Sequence, residues 1–356
     1  MIKKASIAGS GISGLLLAWK LAKTGWQVSI IEASGKPCCS LSAGGMITPW
    51  AELEYCEPII KDLGKNSLSL WPELDFSITD SRAFSANGSL ILAHPQDKKI
   101  WDDLRGKILY RDPGAPIKIW GTQEITQHEP ALEARFETAL YIEEEGHLDV
   151  LLFMATLRSQ LKTMGCDFSK GLVKKVAPQK IYLEEGSIKT DLAVDCRGLG
   201  QSNKKIRGVR GEALLIHAPE MTLNRPIRIA HPQFPLYIIP RADNYFYIGA
   251  TSIESEDDSP ISVRSCLELL SACWAVHPKF AEARIVDQIT GLRPATDDHT
   301  PFIHAESGYL AIGGLYRHGY LLAPTLVELA MLQISGRPIP DQWASLINHD
   351  DEKKYD

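Results

Sequence analysis

Residues 5–32 constrain this chain more than any other stretch, because they read in unbroken order as strand, glycine turn, helix, strand and acid. The short apolar run Ala5-Ser6-Ile7-Ala8 enters Gly9-Ser10-Gly11-Ile12-Ser13-Gly14, and an apolar helical pattern follows through Leu15, Leu16, Leu17, Trp19, Leu21 and Ala22. Gly25 ends that helix, and Val28-Ser29-Ile30-Ile31 forms a second strand closing on Glu32. Each glycine has its own task. Gly9 permits the tight turn, Gly11 lets the backbone approach a pyrophosphate, and Gly14 lets helix and strand pack closely. Ile12 and Ser13 open the helix, whose free N–H groups and positive dipole end suit phosphate. Glu32 stands 18 residues beyond Gly14, near the spacing of an acid that accepts bonds from a ribose hydroxyl. An acid there disfavours a 2′-phosphate, so the expected ligand is FAD or NAD and not NADP. The alternative is an ordinary βαβ unit whose glycines serve packing alone.

The 356 residues suffice for one large or two medium domains with a sizeable core. A net charge of −6 provides no basic footprint, which argues against a nucleic-acid partner. No apolar run is long enough to span a bilayer, and the charged start at Lys3 and Lys4 leads straight into a strand, leaving the cytoplasm as the expected compartment. A monomer and a homo-oligomer are both compatible with this composition. The seven cysteines are odd in number, scattered and without a CxxC, so neither a disulfide framework nor a metal site is expected.

Beyond Glu32 lies an unusual segment, Cys39-Ser40-Leu41-Ser42-Ala43-Gly44-Gly45-Met46-Ile47-Thr48-Pro49-Trp50. Its small residues suit either a backbone passing close to a planar ligand or a flexible loop. Glu52, Glu54 and Glu57 follow on an expected helix with a solvated acidic face. Residues 59–144 read as short strand-like pieces with Pro and Gly punctuation. A turn at Gly146 to Asp149 caps a helix over 150–164, strands follow near Phe168 and Val173, and a buried strand at 193–197 ends on Gly198. Residues 212–252 are β-rich, with a hairpin expected across Ala242-Asp243-Asn244. A helix over 263–276 carries Leu267, Leu269, Leu270 and Trp274, and an apolar helix is expected from Pro324 to Ile334. Nucleotide-type and β-rich segments therefore alternate, a composite that leaves a reactive ring between two halves. With no second glycine fingerprint, one dinucleotide is expected. Arg293 and Arg317 both occupy expected glycine-bounded turns. A guanidinium pair can clamp a carboxylate, although a surface arginine more commonly pairs with a nearby acid.

With these residues in view, the chain resembles the glycine oxidase/D-amino-acid oxidase family of FAD-dependent amine oxidases, nearest to the glycine oxidase branch tied to thiamine biosynthesis. The resemblance runs over almost the whole length. It rests on the N-terminal turn, Ala43-Gly44-Gly45-Met46, Tyr237-Ile238-Ile239-Pro240-Arg241 with Gly249-Ala250-Thr251, Gly291-Leu292-Arg293-Pro294, and the run from Arg317 to Pro324. It implies an α/β (α+β composite) fold in which a Rossmann-like FAD-binding domain (1–58, 145–211 and 290–349) carries a β-rich substrate domain (59–144 and 212–289), followed by a disordered tail at 350–356.

The resemblance also implies roles. Arg293 binds the substrate carboxylate, Arg317 assists, and Tyr237 contacts the amino acid, with Thr48, Trp50 and Ala51 lining the substrate space. Gly9, Gly11, Ile12, Ser13, Gly14 and Glu32 hold the ADP half of FAD, Val173 lies by the adenine, and Gly198 closes a neighbouring junction. Ala43, Gly44, Gly45 and Met46 line the flavin, and Gly314, Tyr316, Arg317, His318, Gly319, Tyr320 and Leu321 approach its pyrimidine side. The implied chemistry is hydride transfer from the substrate α-carbon to flavin N5, hydrolysis of the imine, and reoxidation by O2 to H2O2. No strong protein base is nominated. Trp50 departs from the family pattern by placing a large ring where a smaller group keeps the pocket open, and Leu315 and Cys38-Cys39-Ser40 depart as well. Alternatives are an amine dehydrogenase with another electron acceptor, a flavin-binding accessory protein that turns over no amino acid, and an NAD-dependent dehydrogenase.

Overall fold

The apolar strand Lys4–Ala8 pairs in parallel on both sides, with Gln27–Glu32 and with Leu192–Asp195, placing Ile7 between Ile30 and Val194. A six-stranded sheet grows outward from it in the order Phe302–Glu306, Tyr309–Gly313, Leu192–Asp195, Lys4–Ala8, Gln27–Glu32, Asp167–Lys170. Only the edge pair Phe302–Glu306 with Tyr309–Gly313 is antiparallel. The computed structural model describes residues 2–35, 38–54, 56–133, 135–201, 206–230 and 236–348; the expected tail at 350–356 lies outside the described residues. Because the inner strands run parallel, their carboxyl ends share one edge of the sheet, the edge where such folds bind ligands. Gly9, Glu32, Gly198 and Gly314 all stand at or just past those ends.

The helix Ile12–Lys23 is buried on nearly every side, from Ile12 and Leu15 through Leu21, which explains an apolar pattern with no polar face. It packs against Gly319–Ile334 and Val150–Thr163, and these helices share one core with the sheet. The expected start of the last helix at Pro324 is corrected: it begins at Gly319 and contains Pro324. Proline is tolerated there because the Tyr320 carbonyl, which loses its donor four residues on, accepts the Trp71 indole N–H at 3.1 Å instead. Val150–Thr163 starts where Asp149 accepts the Leu152 N–H, as the sequence expects of a cap.

Beside two small three-stranded sheets, an eight-stranded sheet is ordered Arg284–Ala295, Arg207–His217, Tyr245–Gly249, Leu236–Pro240, Ile227–Ile229, Ser89–Leu92, Thr138–Ile142, Ile117–Gly121. The hairpin across residues 242–244 sets Tyr237 opposite Gly249. Between residues 59 and 144 the strand reading holds at Ser89–Leu92 and Thr138–Ile142 and is corrected where helices stand instead. The 22-residue helix Pro58–Thr79 and the helices Lys98–Arg111 and Thr122–His128 fall there. The long helix hides because its buried stripe includes Gly64, Ser67 and Asp75 among the apolar residues, and because Pro72 interrupts it. In Val263–Val276 the buried face is Leu269, Cys273 and Val276, whereas Leu267 and Trp274 are exposed. The seven cysteines are free, and no described helix is long and apolar enough to cross a membrane.

Candidate active site

The glycine turn is built as a cradle. Gly9 has φ +108°, and a β-carbon on it would lie 2.4 Å from the Cys196 carbonyl oxygen. A β-carbon on Gly14 would lie 2.2 Å from the Gly9 carbonyl oxygen, so strand end and helix touch through backbone alone. Beside the helix start, the Ser40 hydroxyl accepts the Ile12 N–H at 3.0 Å, an orphan donor of the kind that phosphate oxygens use. Glu32 is held by a two-pronged bond from Arg158, with Nη2 to Oε2 at 2.6 Å and Nη1 to the other oxygen. That hydrogen bond, ahead of the opposing cost of burial, lowers the Glu32 carboxyl below its ordinary range. A fixed, ionised acceptor beyond a glycine cradle fits the ribose and pyrophosphate of a dinucleotide. Sequence reasoning missed Arg158, which only the fold brings across from the helix Val150–Thr163. Arg158→Ala is expected to weaken FAD binding several-fold, since a partly exposed pair contributes at most about 1 kcal/mol; FAD titration of the apoprotein measures it.

From the cradle the segment 39–46 runs along a cavity of about 530 Å³. Three side chains fix its carbonyls at alternate residues: Tyr320 Oη donates to Ser40 O at 2.9 Å, Tyr247 Oη to Ser42 O at 3.0 Å, and Arg241 Nη2 to Gly44 O at 2.6 Å. The small-residue segment is therefore a pinned wall of the cavity. Ala43, Gly44, Gly45, Met46, Thr48, Tyr237, Arg293, Tyr316, Arg317, His318, Gly319, Tyr320 and Leu321 all line this space, so most sequence-named residues meet there. Gly9, Gly11, Ile12, Ser13, Gly14, Glu32, Val173, Gly198 and Gly314 do not line it; they belong to the strand-end region beyond. The Val173 carbonyl accepts a bond from Arg197 at 2.8 Å.

Trp50 and Ala51 are corrected. Neither lines the cavity, and each is about 1% exposed. The Trp50 indole N–H donates to Asp112 at 3.0 Å, and the ring packs with Leu53, Ile91 and Trp101. The departure at Trp50 therefore leaves the cavity open. Both backbone N–H groups donate to Glu145 Oε1 at 2.8 Å, while Ser89 bonds the other carboxyl oxygen. Glu145 is fully buried, and desolvation raises its pKa to about 8. A proton on it is retained in the folded chain and lost from the unfolded one once pH exceeds about 4.5. Stability tied to this group thus falls as pH rises from about 4.5 to 8. Glu145→Gln, which reproduces the bonding of the protonated acid, is expected to gain more than about 1 kcal/mol over the native chain between pH 5 and pH 8. Paired thermal melts across that range check this.

The carboxylates beyond Ala51 lie in turns, and the helix with a solvated acidic face is corrected for Glu52 and Glu54. Glu52 is 7% exposed and lines the cavity. Its Oε2 lies 2.6 Å from Arg317 Nη2, and its Oε1 accepts from Tyr237 Oη at 3.1 Å. Glu54 pairs with Arg228 at 2.6 Å. Burial works to raise the Glu52 pKa, but the Arg317, His318 and Arg228 charges outweigh it and hold the group at about 2. It is ionised at neutral pH and is too weak a base to take a proton from an ammonium group. The signal that finds Glu52 is its place two residues past Trp50, in a turn whose backbone is fixed from both sides.

Arg293 is corrected too: it sits inside the strand Arg284–Ala295, paired in register with Val209, and not in a turn. Its Nη1 donates to the Thr251 carbonyl at 3.0 Å, and it makes no ion pair among the described residues. Burial lowers its pKa first, partly offset by Tyr247 and Tyr316. Arg317 does occupy a turn, just before the helix Gly319–Ile334. His318 is held at about 3 chiefly by burial, hence neutral.

A dinucleotide cradle at the strand ends, continuous with a pinned cavity carrying a guanidinium with no ion-pair partner among the described residues, defines a flavin- or nicotinamide-dependent oxidoreductase. Comparison with known proteins decides between the cofactors. The family model for FAD dependent oxidoreductase (DAO) matches residues 4–330, and the chain belongs to that family of FAD-dependent enzymes. It is 35% identical to a Rhizobium etli protein assigned provisionally as the thiamine biosynthesis oxidoreductase ThiO, across 95% of this chain and 99% of that one. It is 27% identical to a glycine oxidase of Geobacillus kaustophilus, across 90% and 89%. Among solved structures, that of glycine oxidase from Geobacillus kaustophilus superposes with TM-score 0.84 at 23% identity, covering 98% of this chain and 100% of that one. Iminodiacetate oxidase from Chelativorans sp. BNC1 does so with TM-score 0.84 at 21% identity, covering 96% and 98%. At such identities the likeness establishes the fold. The chain is thus an FAD-dependent oxidoreductase of the glycine oxidase/ThiO type.

Proposed function

We propose that this enzyme oxidises the amine of glycine or another small amino acid, holding the substrate by its carboxylate on Arg293. The observation that carries this reading is a guanidinium in a 530 Å³ cavity with no carboxylate partner among the described residues. A largely desolvated cation with no ion-pair partner among the described residues is costly, and a substrate carboxylate meets it with matching two-pronged geometry. Gly9 to Gly14, Glu32 and the 39–46 wall would hold FAD, which when bound supplies the two-electron acceptor. The α-carbon gives up a hydride and the nitrogen a proton; the resulting imine takes up water and releases ammonia. Arg293 orients the substrate, Tyr237 supplies a hydroxyl beside it, and the pinned wall keeps the reacting groups in register, so the protein contributes chiefly position. The amine reacts unprotonated, and no lining group serves as a strong base: Glu52 is ionised at about 2 and His318 is neutral with a pKa near 3.

The names of the relatives, a thiamine biosynthesis oxidoreductase and glycine oxidases, support a small substrate, and O2 is the acceptor we assign, yielding H2O2. The test is anaerobic addition of glycine, sarcosine and D-amino acids to the yellow protein, followed by air. Bleaching by one amine and one H2O2 per turnover agree with the proposal. Bleaching with no H2O2 moves the enzyme to an amine dehydrogenase using another acceptor, and bleaching by no amine removes the amino-acid reading.

A further inference from the structure

Among the described residues that line the cavity, three carry a formal charge at neutral pH: Glu52, Arg293 and Arg317. The two lining histidines do not add to them, since burial pushes both His299 and His318 toward the neutral form. Both guanidinium groups line this one cavity, and the Arg317 charge is among those that lower the Arg293 pKa, with Glu52 working the other way. On their own they would form a site for a dianion, with one carboxylate on each. Glu52 prevents this. Its Oε2 is 2.6 Å from Arg317 Nη2, and its other oxygen is held by the Tyr237 hydroxyl at 3.1 Å. The backbone just before it is fixed, with the Trp50 and Ala51 N–H groups on Glu145 and the Ala51 carbonyl on Arg228. The carboxylate is therefore presented to Arg317 by the fold.

We propose that Glu52 is the residue that sets substrate charge: it cancels Arg317, leaves the cavity one net positive charge on Arg293, and so admits amino acids with a single carboxylate while rejecting those with a second anionic group. This rests on the reading of Arg293 as the carboxylate anchor. The reason is electrostatic, for the Glu52 carboxylate is buried at the cavity wall. A second carboxylate reaching toward Arg317 meets the ionised Glu52 already in place, and like charges side by side in such a setting are strongly unfavourable. Selectivity against dicarboxylates then comes from a repulsive element, not from a missing attractive one.

The experiment uses the FAD-loaded full chain and two redox-inert probes, acetate and malonate, with binding read from calorimetry and from the visible flavin spectrum. Native protein is expected to bind acetate roughly 100-fold more tightly than malonate at pH 7.5. In Glu52→Gln, which removes the charge and keeps the shape, that preference is expected to fall by roughly 10-fold or more through a gain in malonate binding, while Glu52→Asp keeps it. Equal binding of the two probes by native protein would overturn the proposal, as would a Glu52→Gln variant in which both affinities change by the same factor. The native ratio stands as a test by itself where a variant does not retain FAD. Arg293→Ala separates the two readings: undiminished acetate binding there removes the anchor, whereas an unaltered acetate-to-malonate ratio in Glu52→Gln removes the charge filter and leaves the anchor intact.

Discussion

Arg293→Ala is expected to lower kcat/KM for the amine substrate by about 100-fold or more while FAD stays bound at one per chain. Removing one partner of a desolvated, charge-assisted pair costs roughly 2–5 kcal/mol, and Arg293 is the guanidinium that the fold leaves without an acid among the described residues. Its bonds to the Thr251 carbonyl at 3.0 Å and the Arg210 carbonyl at 3.5 Å lie at the cavity and away from the glycine cradle, so cofactor retention has no reason to change. The loss should appear mainly in KM, because the carboxylate is gripped in the ground state as well as in the transition state. Arg293→Lys should recover only part of it, since an ammonium keeps the charge but not the planar fork. Steady-state kinetics with FAD content measured in parallel decide the matter, and unchanged kinetics would remove the clamp.

Gly14→Ala is expected to yield protein that is largely colourless after purification and melts at a lower temperature. The added β-carbon would sit 2.2 Å from the Gly9 carbonyl oxygen and 3.2 Å from the Gly9 carbonyl carbon, and these are backbone atoms that cannot swing aside. The helix Ile12–Lys23 would have to lift from the strand end, and it is buried between sheet and helices. Overpacking of this kind costs about 1–3 kcal/mol or more. The same displacement carries the helix N-terminus away from the phosphate position. Gly25→Ala makes a useful contrast. Nothing lies within 4 Å of its added β-carbon, although its φ of +86° carries strain, so it should lose stability but keep its FAD. Absorbance at the flavin band per chain reads one effect and a thermal melt the other.

The cradle was legible in the sequence because its causes are local. Gly9, Gly11 and Gly14 are required by a turn and a helix only a few residues apart, and Glu32 follows at a spacing that one βαβ unit dictates. The hairpin at residues 242–244 and the capped helix Val150–Thr163 were legible for the same reason. The helix Pro58–Thr79 was not, since its inward stripe includes Gly64, Ser67 and Asp75, residues that are buried only because particular neighbours accept them. Asp75, for example, is satisfied by the N–H of Phe84 at 2.9 Å, a partner that no periodicity can show.

In the active site the division is the same. Residue type and position named Arg293, Arg317 and the 43–46 segment, the family resemblance added Tyr237, and the cavity does gather them. The family resemblance also placed Trp50 and Ala51 there, but the turn that carries them folds inward, so that Trp50 meets Asp112 and Glu52, two residues on, takes the cavity wall. The pairing of Arg158 with Glu32 spans 126 residues, and that of Tyr237 with Glu52 spans 185. By itself the sequence determined the dinucleotide unit and the kinds of side chain available for chemistry, because short-range sterics and hydrogen bonding fix those over a few residues. Only the tertiary structure decided which charges are cancelled and which is left for a substrate, because the energy of an ion depends on what the fold has placed within a few ångströms of it.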